Sequence, residues 1–97
     1  MAQRRERPNY AVARTNLGGA LFQKRQLAEA IEQFRLALKL SPNDALAHAY
    51  LGVALFQKGQ LNDAITELEE ALRLNPRLPA VRGVLAKARA LLKDGGK

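Results

Sequence analysis

Residues 45–76 read ALAHAYLGVALFQKGQLNDAITELEEALRLNP, and residues 11–42 read AVARTNLGGALFQKRQLAEAIEQFRLALKLSP. The two stretches align without a gap at an offset of 34 residues, and Pro8, Pro42 and Pro76 keep the same interval. A constant period of this length marks a repeat architecture, and it has to be read before any single residue. Each unit reads as helix, short turn, helix. Its apolar residues recur at helical spacing, and a proline closes it because the missing N–H and fixed φ oppose continuation.

Working outward, the first unit predicts a helix over about 10–24, with Asn9 as N-cap, and a second over about 28–40. In the second unit, Asn43 or Asp44 caps a helix over about 45–58. Gly59 then supplies the left-handed φ that stops it. Asn62 is the expected N-cap of the next helix, with Asp63 in its first turn facing the positive helix end. The first unit has Arg25 where the second has Gly59, so its turn is expected to be the looser. Pro79 is placed to open a fifth helix, over about 80–93. The domain plan is therefore a disordered basic arm over 1–8 and a single domain over 9–94. Within the domain, the repeats fall at about 11–44 and 45–78 and a capping helix at about 79–93. Residues 95–97 form a frayed tail.

Small residues match between units at Gly18/Gly52, Ala20/Ala54, Ala30/Ala64 and Ala37/Ala71, where they let helices approach to about 8–10 Å. Large apolar residues match at Leu17/Leu51, Leu21/Leu55, Ile31/Ile65, Phe34/Leu68 and Leu38/Leu72 and fill the space left between. One helix pair cannot bury both its apolar sides, so units stack. The fifth helix is apolar on one side only, with Arg82, Arg89 and Lys93 opposite, as a terminal cap requires. The N-terminal side has no such helix. That leaves the first helix with apolar surface, Tyr10 and Val12 being the candidates, and homo-oligomerisation through this uncapped face is one expectation.

The bulk numbers bound the function. The 97 residues contain no cysteine and one histidine, which excludes disulfides, thiolate metal sites and multi-histidine metal sites. The net charge of +7 sits at the two ends, while the repeats are close to neutral. Such ends could steer anionic partners, nucleic acid included, but solvated surface is the plainer reading and nucleic acid is not expected as a partner. No run approaches the ~20 apolar residues that span a bilayer, and there is no signal-peptide block, so a cytoplasmic protein is expected.

The residues His48, Leu51, Gly52, Leu55, Ala64, Leu68, Ala71 and Pro76, and their partners Arg14, Leu17, Gly18, Leu21, Ala30, Phe34, Ala37 and Pro42, resemble the tetratricopeptide repeat pattern. The resemblance covers residues 11–78, and Leu85-Ala86 looks like part of the family's terminal helix. The pattern's usual Trp is replaced by Arg14, His48 and Arg82, and its second Tyr by Leu21 and Leu55. The resemblance implies an all-α fold, a right-handed α-solenoid of antiparallel helix pairs with five helices. It also implies a concave face, lined by the first helix of each pair, that holds a peptide or helix of a partner protein.

On that implied face helical geometry places Val12, Asn16, Phe22, Leu46, Tyr50, Val53, Phe56, Gln57 and Lys87 as the peptide-binding groove, with Thr15 and Gly19 beside them. Tyr50, Phe56 and Phe22 are the expected aromatic anchors. Some family members grip a partner's C-terminal carboxylate with Lys and Asn side chains. The matching positions here hold Thr15, Gly19, Tyr50, Ala80 and Val84, so no such clamp is expected. His48 stands without a second ligand or nucleophile, and no phosphate loop or catalytic constellation occurs, so no enzyme activity and no cofactor or metal are expected. The expected function is a protein–protein interaction module. The alternatives are a structural, self-assembling repeat unit, natural or engineered, and an anion or nucleic-acid adaptor using the basic ends.

Overall fold

The computed structural model describes residues 9–95, and they form five helices: α1 (Asn9–Gln23), α2 (Leu27–Leu40), α3 (Ala45–Gln57), α4 (Leu61–Leu74) and α5 (Val81–Gly95). The basic arm expected over residues 1–8 lies outside the described residues, as do Gly96 and Lys97. The helices form a solenoid of antiparallel pairs in which α1 packs on α2, α2 on α3, α3 on α4 and α4 on α5. The body is elongated, 58 × 27 × 19 Å. Among the described residues there is no strand, and no helix is long and apolar enough to cross a membrane.

Sequence position in the stack explains the pattern of each helix. In α2 the buried residues Ala30, Ile31, Phe34 and Ala37 form one stripe at helical spacing. Helix α3 is covered on several sides and is apolar nearly all round, burying Ala47, Ala49, Leu51, Gly52, Ala54 and Leu55. One core cluster joins Ala30, Ile31 and Phe34 of α2 to Leu51, Ala54 and Leu55 of α3 and Ala64 of α4. A second joins Ala49 to Leu68 and Ala71 of α4 and Val81 and Leu85 of α5. The glycines at matching positions set the spacing. A Cβ on Gly18 would stand 2.5 Å from the Phe34 ring, and one on Gly52 2.6 Å from Leu68.

The helix boundaries differ in places from the sequence expectation, and capping explains why. Asp44 caps α3: its Oδ1 accepts from the N–H groups of Leu46 at 3.0 Å and Ala47 at 3.2 Å. Helix α2 starts one residue sooner than the expected Ala28, and α4 two residues sooner than an N-cap at Asn62 implies. Gln26 and Gln60 precede them without a side-chain cap bond, and Asn62 lies inside the first turn of α4. The cause is the turn before each. Arg25 (φ +66°) and Gly59 (φ +83°) both take the left-handed conformation, which reverses the chain at once.

The first turn is not looser in its bonds. Gln26 N–H to Leu21 O and Gln60 N–H to Leu55 O are both 2.9 Å. What differs is strain, since a side chain in that conformation costs about 1–2 kcal/mol that glycine avoids. At the last boundary Pro79 does not open the helix. The position equivalent to Asp44 is Leu78, which has no side-chain acceptor, and Ala80 turns at φ +67° before α5 begins at Val81. Helix α5 then runs on through Gly95, past the expected end at Lys93. Asn9 is the first residue of α1 rather than the residue before it.

Candidate binding groove

Helices α1, α3 and α5 are the first members of their units, and their sequences give the face they share its character. Helices α1 and α3 contain no acidic residue, and α5 contains only Asp94 near its end. The acids sit on the second helices, with Glu29 and Glu32 on α2 and Asp63, Glu67, Glu69 and Glu70 on α4. A ligand lying along α1, α3 and α5 therefore meets apolar side chains, amides and Lys87 rather than carboxylates.

The best-formed hollow on this face lies between α3 and the turn into α5. It is a cleft of ≈ 230 Å³ lined by Leu46, Ala49, Tyr50, Val53, Leu78, Pro79, Ala80 and Val81. Three of the nine groove residues expected from sequence, Leu46, Tyr50 and Val53, come together here. Leu46 is 48% exposed, a large aliphatic side chain open to solvent at the mouth. The Tyr50 ring is anchored from behind, stacked on Phe34 with centroids 5.3 Å apart and planes 9° apart. Phe34 is fully buried, so Tyr50 presents a fixed aromatic wall.

The other six expected groove residues do not line this cleft. Val12, Asn16, Gln57 and Lys87 are exposed, and Phe22 and Phe56 are half-buried and pack against the first core cluster. The phenylalanines thus serve the interior of the stack as much as its face. Thr15 is buried, and its hydroxyl donates to the Ala11 carbonyl at 3.1 Å. Leu78 and Pro79 line the cleft without having been expected there from the sequence. The signal for them is the missing acceptor at Leu78, which displaces the start of α5 and opens a turn against α3.

The single histidine has a structural setting. His48 Nδ1 lies 2.7 Å from Glu67 Oε1 on α4, and Nε2 lies 2.8 Å from the Pro42 carbonyl. Burial works against charge on the ring, but the hydrogen bonds to Glu67 and Pro42 and the charges of Glu67 and Glu70 outweigh it. The imidazole pKa is raised above its usual 6.5. Arg14 and Arg82 occupy the equivalent positions and bond to Gln33 Oε1 at 2.9 Å and to the Pro76 carbonyl at 2.9 Å. All three side chains fasten a first helix to its surroundings. Among the described residues no group of three or more His, Asp or Glu side chains could hold a metal ion.

Two family models match the chain, TPR repeat over residues 18–59 and tetratricopeptide repeat over residues 45–78. Together they run unbroken from Gly18 to Leu78. The chain belongs to the tetratricopeptide repeat family. This TPR chain is also similar to a solved structure, the first TPR of Spaghetti (RPAP3) bound to the HSP90 peptide SRMEEVD. The identity is 28%, the match covers 90% of this chain and 69% of that one, and the TM-score is 0.85. No curated protein sequence matches this TPR chain.

Proposed function

We propose that this TPR chain is a non-catalytic protein–protein interaction module that binds a peptide or helix of a partner along α1, α3 and α5. A large apolar side chain of the ligand fills the Leu46–Tyr50–Val53 cleft. The observation that carries this reading is the cleft itself, an apolar hollow with a fixed aromatic wall on a face that lacks carboxylates. The similar Spaghetti TPR, solved with a peptide, supports it. That peptide ends in Glu-Glu-Val-Asp and is strongly acidic. The positions where a carboxylate clamp would sit hold Thr15, Gly19, Tyr50, Ala80 and Val84 here. The ligand of this chain is therefore selected by an aliphatic or aromatic anchor rather than by a terminal carboxylate. A cytoplasmic setting belongs to the same reading.

The adaptor reading for nucleic acid is weaker than the +7 charge suggests. On α5 Arg89 is paired with Glu69, so one of the three cations on that face already has its charge offset.

Selection of peptides from a random display library, followed by titration of the winners against the whole chain, tests the proposal. Winners should carry a large apolar residue, bind at least tenfold more weakly to Leu46→Glu, and lose little affinity between low and moderate salt. Leu46 is exposed, so the variant should keep the wild-type circular dichroism and melting temperature. Winners indifferent to Leu46→Glu would remove the groove, and a steep salt dependence would point to phosphate-type contacts instead.

A further inference from the structure

The 34-residue register allows each first helix to be compared, position by position, with the others. In α3 the positions 47, 51 and 54 are Ala, Leu and Ala. Leu51 and Ala54 pack in the core cluster that contains Ala30, Ile31 and Phe34 of α2, and Ala47 is fully buried. In α5 the same register positions are Val81, Leu85 and Ala88, all buried, with Val81 and Leu85 packed against Leu68 and Ala71 of α4. In α1 they are Ala13, Leu17 and Ala20, and all three are exposed. Leu51 is 2% exposed and Leu17 is 46% exposed, although they are the same residue at the same place in the repeat. The side of α1 that matches the seated sides of α3 and α5 is therefore a finished half-seam. Beside it is a cleft of ≈ 480 Å³ lined by Tyr10, Ala13, Arg14, Leu17 and Leu40.

The two occupied seams define what fits. Helix α2 brings Leu27, Ile31, Phe34 and Leu38 to its core cluster, a spacing of i, i+4, i+7, i+11. Helix α4 repeats that spacing with Leu61, Ile65, Leu68 and Leu72, of which the last three pack in the second cluster. Residues 1–8, MAQRRERP, contain no such pattern. A second copy has no spare helix of this kind, because its α2 lies between α1 and α3 and its α4 between α3 and α5. Pairing two α1 faces directly would bring two Arg14 side chains and no carboxylate into one seam, which is unfavourable.

We propose that the outer face of α1, centred on Leu17, is a docking site for an amphipathic helix of another protein. That helix has large apolar residues at i, i+4, i+7 and i+11 and acidic residues beside them. The acidic preference follows from Arg14, the one charged side chain lining the cleft; it is exposed, and its bond to the neutral Gln33 amide does not offset its charge. This site is separate from the α3–α5 cleft and does not rest on it.

The probe is a peptide carrying the α4 sequence LNDAITELEEALRL, cross-linked on its polar side to hold it helical, because a free helix of this length is marginal in water. A second probe carries the α2 sequence LAEAIEQFRLALKL. Counting side chains, the first has four acids against one base and the second two of each. Each is labelled and titrated against the full chain by fluorescence anisotropy. The expected result is saturable binding of the α4 probe, at least tenfold weaker with Leu17→Glu and unchanged with Leu46→Glu. The α4 probe should bind more tightly than the α2 probe at low salt, with the gap closing as salt rises. Ala13→Glu, at an exposed position, gives the same loss should Leu17→Glu alter the fold. Absence of binding, or binding indifferent to both variants, would overturn the proposal. So would a wild-type dimer in sedimentation equilibrium that Leu17→Glu dissociates, since that would give the face to a second copy.

Discussion

Gly18 and Gly19 are neighbours in α1 and face opposite surroundings. A methyl group on Gly18 would press into the Phe34 ring at 2.5–3.0 Å, and that ring cannot swing aside because Tyr50 stacks on it. A methyl group on Gly52 would meet the Leu68 side chain at 2.6 Å and the Leu68 backbone nitrogen at 3.2 Å. Gly19 has nothing within 4 Å of where its Cβ would be. The two adjacent substitutions should therefore have opposite signs. Gly18→Ala, like Gly52→Ala, should lower stability by about 1–3 kcal/mol through overpacking. Gly19→Ala should raise it by about 0.5–1 kcal/mol by restricting the unfolded chain in a helix interior. Urea unfolding of the three variants decides the matter, and a destabilised Gly19→Ala would mean that this backbone is needed bare.

At the scale of the element, His48 links α3 to α4 through Glu67 and to the preceding turn through Pro42. Both partners are acceptors, and a neutral imidazole has one N–H. Only the protonated ring can donate to both. Its pKa is raised on folding, so the stabilisation is complete below about 6.5, the ordinary value, and is lost as pH climbs through the folded value. The melting temperature of the wild type should thus fall between pH 5.5 and pH 8.5 more than that of His48→Gln. Equal pH profiles for the two would show that the link contributes nothing. This device could not be read from sequence. His48 occupies the place where the family pattern has Trp, and its value depends on Glu67 arriving from another helix. What could be read was whatever repeats at the period: the five helices, the αL stop at Gly59, and the paired small and large residues except Leu17 and Ala20. Those two are expected to pack like Leu51 and Ala54 but stand exposed, because no described helix lies against that side of α1. What escaped was non-periodic, namely the Tyr50 stack on Phe34 and the Leu78–Ala80 turn that supplies part of the cleft.

At the scale of the whole molecule, each helix leans chiefly on its neighbours in the stack, so stability is a sum of local seams rather than one shared core. The seams are unequal. Helix α3 holds six buried residues and contacts α1, α2, α4 and α5; of the largest fully buried side chains, Leu55 is its own and Phe34 and Leu68 come from α2 and α4 on either side of it. Helix α1 has one seam where α3 has two. Helix α5 is held through Val81, Leu85 and Ala88, and beyond Ala88 its Leu91 and Leu92 are exposed. Native-state hydrogen exchange should accordingly be slowest at amides 51–55, faster in α1 and fastest in the last turn of α5. Leu85→Ala sharpens the test. Its buried methyl groups belong to the cluster that α3, α4 and α5 share, away from α1 and α2, and their loss should cost about 2–5 kcal/mol. Because coupling runs neighbour to neighbour, the variant should speed exchange throughout α5 and at the Leu68–Ala71 face of α4 while leaving α1 nearly unchanged. Acceleration spread evenly over all five helices would instead mean that the stack opens as one unit.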